Sequence, residues 1–253
     1  MTKLMKLSIT DIKTAVTAEN LFVQSFKAES YKFLDTYILS NKIDRINISD
    51  ASLADEIKYL ENTYKPKGVC CFLIDPSTSP NTLKQFLTSF GYKKDETYDD
   101  VWWFKKTEDT ESEVAQQIVN IVEVKSLDEL KSSLNDTELE WWTSVFGNCL
   151  KKSNKPLLTK LYIGKYDNKV VSTYASAFYE NVTIYKGAEV IENYRKRGIN
   201  TQMMQHWLNE AKEYKCNWAV FQTDSSNFGS INTGKKFSFN MEFAKECYCK
   251  KLF

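Results

Sequence analysis

The chain has 253 residues, enough for one large domain or two small ones. Its formal net charge is only +1, so no overall field favours nucleic acid or an anionic membrane as a partner. No stretch approaches the ~20 apolar residues that cross a bilayer, and the first residues lack the apolar run of a signal peptide. Hydrophobic residues make up 42% of the chain, which is enough for a buried core, and the cysteine content described below favours a cytoplasmic protein.

The cysteine and histidine content argues against metal and thiol chemistry. The six cysteines include no Cys-x-x-Cys pair, and His206 is the only histidine. Zinc-ligand spacing is therefore absent, as is a second histidine for a Ser-His-Asp or Cys-His arrangement. We expect no metal ion, and we expect the cysteines to be reduced and buried.

The first 67 residues alternate helical patterns with polar breaks. Apolar residues between Ile12 and Phe26 have the spacing of one or two helices, and residues 31–39 continue this helical pattern. Residues 43–48 favour a short strand, and residues 53–64 predict a further helix.

Residues 69–90 predict a strand followed by a helix. The continuous apolar run at 69–74 is typical of a buried strand, and residues 82–90 carry apolar side chains at helical spacing. A glycine, an aromatic residue and a strand at 101–104 follow, and the same order recurs after Trp218. Residues 1–106 are therefore predicted to form an α/β lobe.

An acidic, polar segment at residues 107–117 is the best linker candidate, which leaves residues 118–253 as a second domain. This domain is predicted to open with a strand at 118–124. Ser126 and Glu129 then have the spacing of a capping box at a helix N-terminus.

The most informative stretch is residues 190–201, which predict a strand end, a basic turn and a helix that starts near Asn200. The turn carries Arg195, Lys196, Arg197 and Gly198. Free amides at a helix N-terminus, the helix dipole and nearby cations together bind phosphate. A diphosphate is the common ligand that fits this pattern best.

Residues 190–201 resemble the acyl-CoA-binding motif of the GNAT superfamily of N-acetyltransferases, Arg/Gln-x-x-Gly-x-Gly/Ala. Arg195 and Gly198 match this motif, whereas Asn200 stands where glycine or alanine is usual. The strand at 218–223 and the segment at 227–239 resemble the next strand and helix of that family.

The resemblance implies a mixed α/β fold of GNAT type that binds acetyl-CoA. The pantetheine arm would lie between splayed strands 183–191 and 218–223, and backbone amides would hold the pyrophosphate. Asn227 matches an asparagine that positions the pantetheine arm, and it is equally well placed as a helix N-cap. The implied cofactor-binding residues are Ala188, Glu189, Val190, Arg195, Lys196, Arg197, Gly198, Ile199, Asn200, Thr201 and Asn227.

The proton-transfer groups of the family are missing from their usual positions. A tyrosine general acid would fall at Gly234, and a glutamate base would fall at Gln222. The candidates elsewhere are Glu189, Asp224 and Tyr185. Otherwise water serves, or catalysis has been lost.

We therefore expect an N-acetyltransferase that transfers an acetyl group from acetyl-CoA directly to a primary amine, of a small molecule or a peptide. The alternative is a non-catalytic acyl-CoA-binding or regulatory protein. The N-terminal half is expected to be a degenerate GNAT-like lobe, giving two tandem lobes, or an unrelated α/β partner domain. The sequence does not reveal the oligomeric state.

Overall fold

The computed structural model describes residues 6–26, 31–33, 36–39, 42–44, 46, 48–110, 117–135, 137–150 and 156–253. In the first half of the chain the elements are α1 (Ile9–Phe26), β1 (Tyr31–Phe33), β2 (Thr36–Leu39), β3 (Lys42–Asp44), α2 (Leu53–Tyr64), β4 (Val69–Ile74), α3 (Leu83–Ser89), β5 (Lys93–Lys94) and β6 (Val101–Lys106). The second half adds β7 (Asn120–Val124), α4 (Leu127–Leu134), α5 (Glu140–Phe146), β8 (Leu158–Tyr166), β9 (Lys169–Tyr179), β10 (Val182–Val190), α6 (Ile199–Glu213), β11 (Trp218–Thr223), α7 (Phe228–Lys236), β12 (Asn240–Ala244) and β13 (Glu246–Lys251).

These strands form two mixed sheets with matching strand orders. The first sheet has the order β1-β2-β3-β4-β13-β5, and the second has the order β12-β6-β11-β10-β9-β8-β7. Each contains one parallel pair, β3 with β4 and β10 with β11. In the first sheet β4 is followed by the antiparallel strand β13 and then by the edge strand β5. In the second sheet β11 is followed in the same way by β6 and then by the edge strand β12. The predicted α/β fold with two tandem lobes is therefore confirmed.

The two lobes exchange strands. Strand β6 comes from the first half of the chain but lies between β11 and β12 in the second sheet. Strand β13, at the end of the chain, lies between β4 and β5 in the first sheet. Neither sheet is thus continuous in sequence. The division of the chain at 107–117 stays a prediction, and residues 111–116 of that segment lie outside the described residues.

Helices cover both faces of the second sheet. Helix α1 packs with α4 and α5 on one face, where Phe22, Trp142 and Ile184 belong to one buried core. Helices α6 and α7 cover the opposite face, around Trp207 and Phe221. The helix at the start of the chain is thus part of the second lobe's core. Among the described residues, no helix is both long enough and apolar enough to span a membrane.

The helical prediction for residues 31–39 is wrong. These residues form β1 and β2, which pair in antiparallel fashion with Tyr31 opposite Ile38 and Phe33 opposite Thr36. Short apolar runs fit helical and strand spacing alike, and the β-branched and aromatic residues here favour a pleated sheet.

The prediction that all cysteines are reduced is wrong for two of them. Cys71 on β4 lies directly opposite Cys249 on β13, and the two form a disulfide. Cys247 is free and buried, with its Sγ 3.5 Å from that of Cys249. The disulfide joins the exchanged strand β13 to the first sheet.

A buried ion pair lies where the chain crosses between the sheets. Lys245 connects β12 to β13, and its Nζ lies 2.5 Å from Asp44 Oδ2, with both side chains 2% exposed. The backbone N–H of Lys245 donates to the carbonyl of Asp100, just before β6. Burial opposes the charge of Lys245, but Asp44, Asp75 and Asp100 outweigh it and raise the lysine pKa. The crossing strands are therefore held by a charged lysine among carboxylates.

Replacing this lysine with an apolar residue is expected to destabilise the protein. Lys245→Met leaves buried carboxylates without their cation, at a cost of about 3–5 kcal/mol in the free energy of unfolding. The more exposed lysine of the Lys250–Glu61 pair provides a control, because Lys250→Met should cost at most about 1 kcal/mol. Urea denaturation compares the two variants, and equal losses would contradict the importance of the crossing point.

Candidate functional site

The two parallel strands of the second sheet separate before they end. Pairing between β10 and β11 runs from Val182 opposite Trp218 to Tyr185 opposite Phe221 and then stops. Strand β10 nevertheless continues to Val190 and β11 to Thr223. The predicted splay between these strands is thus present, and it leaves backbone groups of both strands available to a ligand.

A β-bulge in β10 produces this separation. The pairing of β10 with β9 shifts between Lys186 and Glu189, and Gly187 has a φ of +61°. The indole N–H of Trp142 donates to the carbonyl of Gly187 over 2.9 Å, and a Cβ at Gly187 would lie 2.5 Å from Cζ of Phe146. Trp142 is a fully buried core residue, so α5 holds the bulge from the face of the sheet that α1, α4 and α5 cover. The structure does not describe the side chain of Trp141, the other tryptophan of α5.

The turn after β10 presents free amides at the start of α6. Gly198, with a φ of +85°, is the N-cap residue, and no side chain caps the helix. The first intrahelical hydrogen bond runs from Gln202 N to Gly198 O over 3.0 Å. The amides of Ile199, Asn200 and Thr201 therefore have no acceptor within the helix, which makes this terminus suitable for an anion.

The basic residues of the turn have different roles. Arg195 donates from Nε to the carbonyl of Val190 and from Nη2 to Glu189 Oε1, over 2.9 and 2.8 Å, and so holds the end of β10. Arg197 lies over the rings of Tyr194 and Tyr166. A guanidinium on an aromatic face is stabilised by the ring's electrons. These contacts hold the Arg197 side chain against the two tyrosine rings, at the surface of the turn.

A cleft of about 590 Å³ lies at this position, between the end of β10, the start of α6 and the helix α7. All of the predicted cofactor-binding residues except Arg197 line it. Sequence reasoning missed the other lining residues, which are Tyr194, Gly229, Ser230, Asn232, Thr233 and Lys236. Four of these residues, at positions 229, 232, 233 and 236, lie on one face of α7, and this helical spacing is the signal that could have identified them.

Asn227 is an N-cap residue of α7. Its Oδ1 accepts a hydrogen bond from the backbone N–H of Ser230 over 3.2 Å. The capping role expected from the sequence is thus present, and the same residue also lines the cleft. The positioning of a pantetheine arm by Asn227 stays a prediction.

Tyr185 is the last residue of β10 that pairs with β11, and it lies beneath the cleft. Its hydroxyl donates to Asn200 Oδ1 over 3.1 Å, and Asn200 in turn lies within hydrogen-bonding distance of Thr233. Burial raises the pKa of Tyr185 well above its ordinary value. The phenol is therefore protonated at neutral pH and can donate a hydrogen bond, but burial makes it a weaker acid than an exposed tyrosine.

The two candidate carboxylates are placed differently. Glu189 is paired with Arg195 at the end of β10 and lines the cleft. Asp224 is exposed in the turn after β11, where its carbonyl accepts the backbone N–H of Asn227. Their catalytic roles stay predictions.

The two departures from the family pattern have structural explanations. Gly234 is buried, and a Cβ there would lie 2.5 Å from Cζ of Phe221, so a tyrosine cannot fit. Gln222 accepts a hydrogen bond from Lys186 Nζ over 2.7 Å, across the start of the splay.

Comparisons with known proteins agree with this geometry. Residues 120–239 match the model of the acetyltransferase (GNAT) family. No curated protein matches the chain. Among solved structures, a GCN5-related N-acetyltransferase from Kribbella flavida superposes with a TM-score of 0.65 at 11% identity, covering 97% of this chain and 96% of that one.

A tandem GNAT protein from the clavulanic acid biosynthesis pathway superposes with a TM-score of 0.67 at 6% identity, covering 98% and 97% of the two chains. A GNAT-family acetyltransferase from Colwellia psychrerythraea gives a TM-score of 0.57 at 10% identity, covering 98% of each. At such low identity these likenesses concern the fold. Residues 120–239 of the second lobe thus match the acetyltransferase (GNAT) family, and the chain as a whole has the fold of tandem GNAT proteins.

The close packing at Gly234 yields a stability prediction. Gly234→Ala should lower the free energy of unfolding by about 1–3 kcal/mol, because the new methyl group overlaps the ring of Phe221. In a Phe221→Leu background the same substitution should cost less. Chemical denaturation of the four proteins measures both effects, and equal costs in the two backgrounds would show that the ring is not the obstacle.

Proposed function

We propose that the protein transfers an acetyl group from acetyl-CoA directly to a primary amine of a small molecule or peptide. The observation that carries this proposal is the coincidence of two features in one cleft. The gap between β10 and β11 opens beside the free amides at the N-terminus of α6. An extended amide-containing arm and a diphosphate, joined in one ligand, match these two features. We also propose that the protein acts in the cytoplasm.

Different residues of the cleft would bind different parts of acetyl-CoA. The pyrophosphate would accept hydrogen bonds from backbone amides between Lys196 and Thr201, aided by the helix dipole. Lys236 lines the cleft beside them and adds positive charge. The pantetheine arm would lie along the unpaired end of β10, where backbone groups of Ala188 and Val190 offer strand-like hydrogen bonds.

The chemical step is a direct displacement at the thioester carbon. A neutral amine forms the new C–N bond, and a backbone N–H near Val190 stabilises the tetrahedral oxyanion. The nitrogen then loses its extra proton to solvent water as the C–S bond breaks. The sulfur leaves as a thiolate, which accepts a proton from the Tyr185 phenol where the strands separate, and solvent water then returns a proton to Tyr185. Alignment of the two substrates can contribute about 7–11 kcal/mol to lowering the barrier.

A non-catalytic acyl-CoA-binding or regulatory protein is the second candidate. The specific observations in its favour are Gly234 and Gln222, which replace the proton-transfer residues usual in the family. Both candidates require acetyl-CoA binding, and turnover distinguishes them.

Calorimetric titration with acetyl-CoA tests the binding step. The protein is expected to bind with a Kd of about micromolar, and the Arg195→Ala/Gly198→Asp variant should bind at least about tenfold more weakly. The new carboxylate would occupy the anion site, and the end of β10 would lose its guanidinium contact. Arg197→Ala is the control, because Arg197 lies on Tyr194 and does not line the cleft. Equal affinity for all three proteins would place the acetyl-CoA site elsewhere.

The role of Tyr185 is tested by turnover. Tyr185→Phe removes the hydroxyl and keeps the buried ring, so acetyl-CoA affinity should be retained while kcat falls about 10²–10⁴-fold. Release of free CoA thiol in the presence of amines measures the rate. Unchanged kcat in the variant would exclude Tyr185 as the acid, and no thiol release by the unaltered protein would favour the non-catalytic candidate.

A further inference from the structure

A polar cluster lies at the start of the splay, on the face of the second sheet opposite the cleft. Lys186 and Gln222 directly follow the last paired residues of β10 and β11, Tyr185 and Phe221. Because successive side chains of a strand point to opposite faces, Lys186 and Gln222 lie on the α1 side of the sheet. Lys186 Nζ donates to Gln222 Oε1 over 2.7 Å and to Glu19 Oε1 of α1 over 2.6 Å. We call Glu19, Lys186 and Gln222 the splay triad.

The splay triad has unused hydrogen-bonding capacity. Within the part of the chain that the structure describes, Glu19 Oε2 and Gln222 Nε2 are buried and have no hydrogen-bond partner. Glu19 is only 6% exposed. Buried polar groups in native proteins are nearly always paired, because an unpaired one loses its hydration without compensation. A carboxylate oxygen without a donor and an amide N–H without an acceptor, on two neighbouring side chains of one cluster, can therefore bind complementary polar groups.

The position of the splay triad indicates which molecule could use these hydrogen-bonding groups. On the proposed function, the acetyl group arrives between β10 and β11 from the cleft side, so the acceptor has to approach from the other side. The triad is on that side and borders the gap. The direction from which the acceptor approaches rests on the proposed function. The lack of hydrogen-bond partners at Glu19 Oε2 and Gln222 Nε2 does not depend on it.

We infer that the splay triad binds the acceptor, and that the acceptor is a small amino acid or a similar compound with an amine and a carboxylate. The amine would donate to Glu19 Oε2. The carboxylate would accept from Gln222 Nε2 and lie beside the ammonium of Lys186. A simple alkylamine satisfies Glu19 but leaves Gln222 unpaired, and a polyamine adds repulsion with Lys186. Both charges of an amino acid are complemented here.

The test compares acceptors in matched pairs and removes one charge from the protein. Transfer from acetyl-CoA is measured with free amino acids, with their carboxamides and with alkylamines of equal length. Glu19→Gln keeps an oxygen for Lys186 but replaces the unpaired carboxylate oxygen with an N–H donor. Glu61→Gln is the matched control, since Glu61 forms a 2.8 Å pair with Lys250 in the first lobe, remote from the splay.

The unaltered protein is expected to prefer free amino acids over both other classes. Glu19→Gln should raise the KM for amino acids about tenfold or more, as expected for the loss of a charged hydrogen bond, with an unchanged Kd for acetyl-CoA. Glu61→Gln should change neither quantity. Equal use of alkylamines, a preference for carboxamides, or an unchanged KM in Glu19→Gln would each overturn the inference while leaving the proposed function intact.

Failure of the proposed function is recognised separately. If the protein binds no acetyl-CoA, calorimetric titration of the full chain with the same amino acids still decides the inference. Binding that Glu19→Gln abolishes and Glu61→Gln retains would support it, and absence of binding would overturn it.

Discussion

The bulge at residues 186–189 is the feature on which the site depends. A parallel pair of strands ordinarily satisfies its backbone groups along its whole length. Here the pairing of β10 with β11 ends after Tyr185, and the backbone beyond it turns away from β11. The bulge is held by a hydrogen bond from Trp142 and by the packing of Phe146 against Gly187. The aromatic residues of α5 thus support a ligand site on the far side of the sheet.

The first lobe shows what happens when such a gap is closed. Its equivalent strands, β3 and β4, are followed by chain segments that bond to each other. Ile48 N donates to Ser79 O, and Ser79 N donates to Ile46 O. The backbone groups that would meet a ligand arm are therefore already paired. The first lobe instead contributes α1 and β6 to the second, which makes the two lobes interdependent.

The local parts of this structure could be predicted from sequence. The turn at 195–198, the helix after it and the Ser126 cap follow from residue types a few positions apart, and the structure contains all three. Glu129 reaches back as expected, but it accepts from the backbone N–H of Lys125 rather than from that of Ser126. The strand-helix-strand similarity between the two halves was also visible, because it too is a matter of order along the chain.

Features that depend on distant residues could not be predicted. Whether β6 and β13 pair with strands of their own half of the chain or of the other half depends on contacts between distant residues. No local sequence pattern determines this pairing. The Cys71–Cys249 disulfide joins residues 178 positions apart and depends on the same exchange. The pairing of Lys186 with Glu19 requires α1 to pack on the second sheet, which the periodicity of α1 alone does not specify.

The central claim is that the gap between β10 and β11 and the start of α6 form one binding site for acetyl-CoA. Amide hydrogen exchange, measured by mass spectrometry with and without CoA, tests it most directly. The account predicts slower exchange in residues 187–201 and at the end of β11, with no change at residues 46–53 of the first lobe. Slower exchange in the first lobe alone, or unchanged exchange throughout residues 187–201 at saturating CoA, would contradict it.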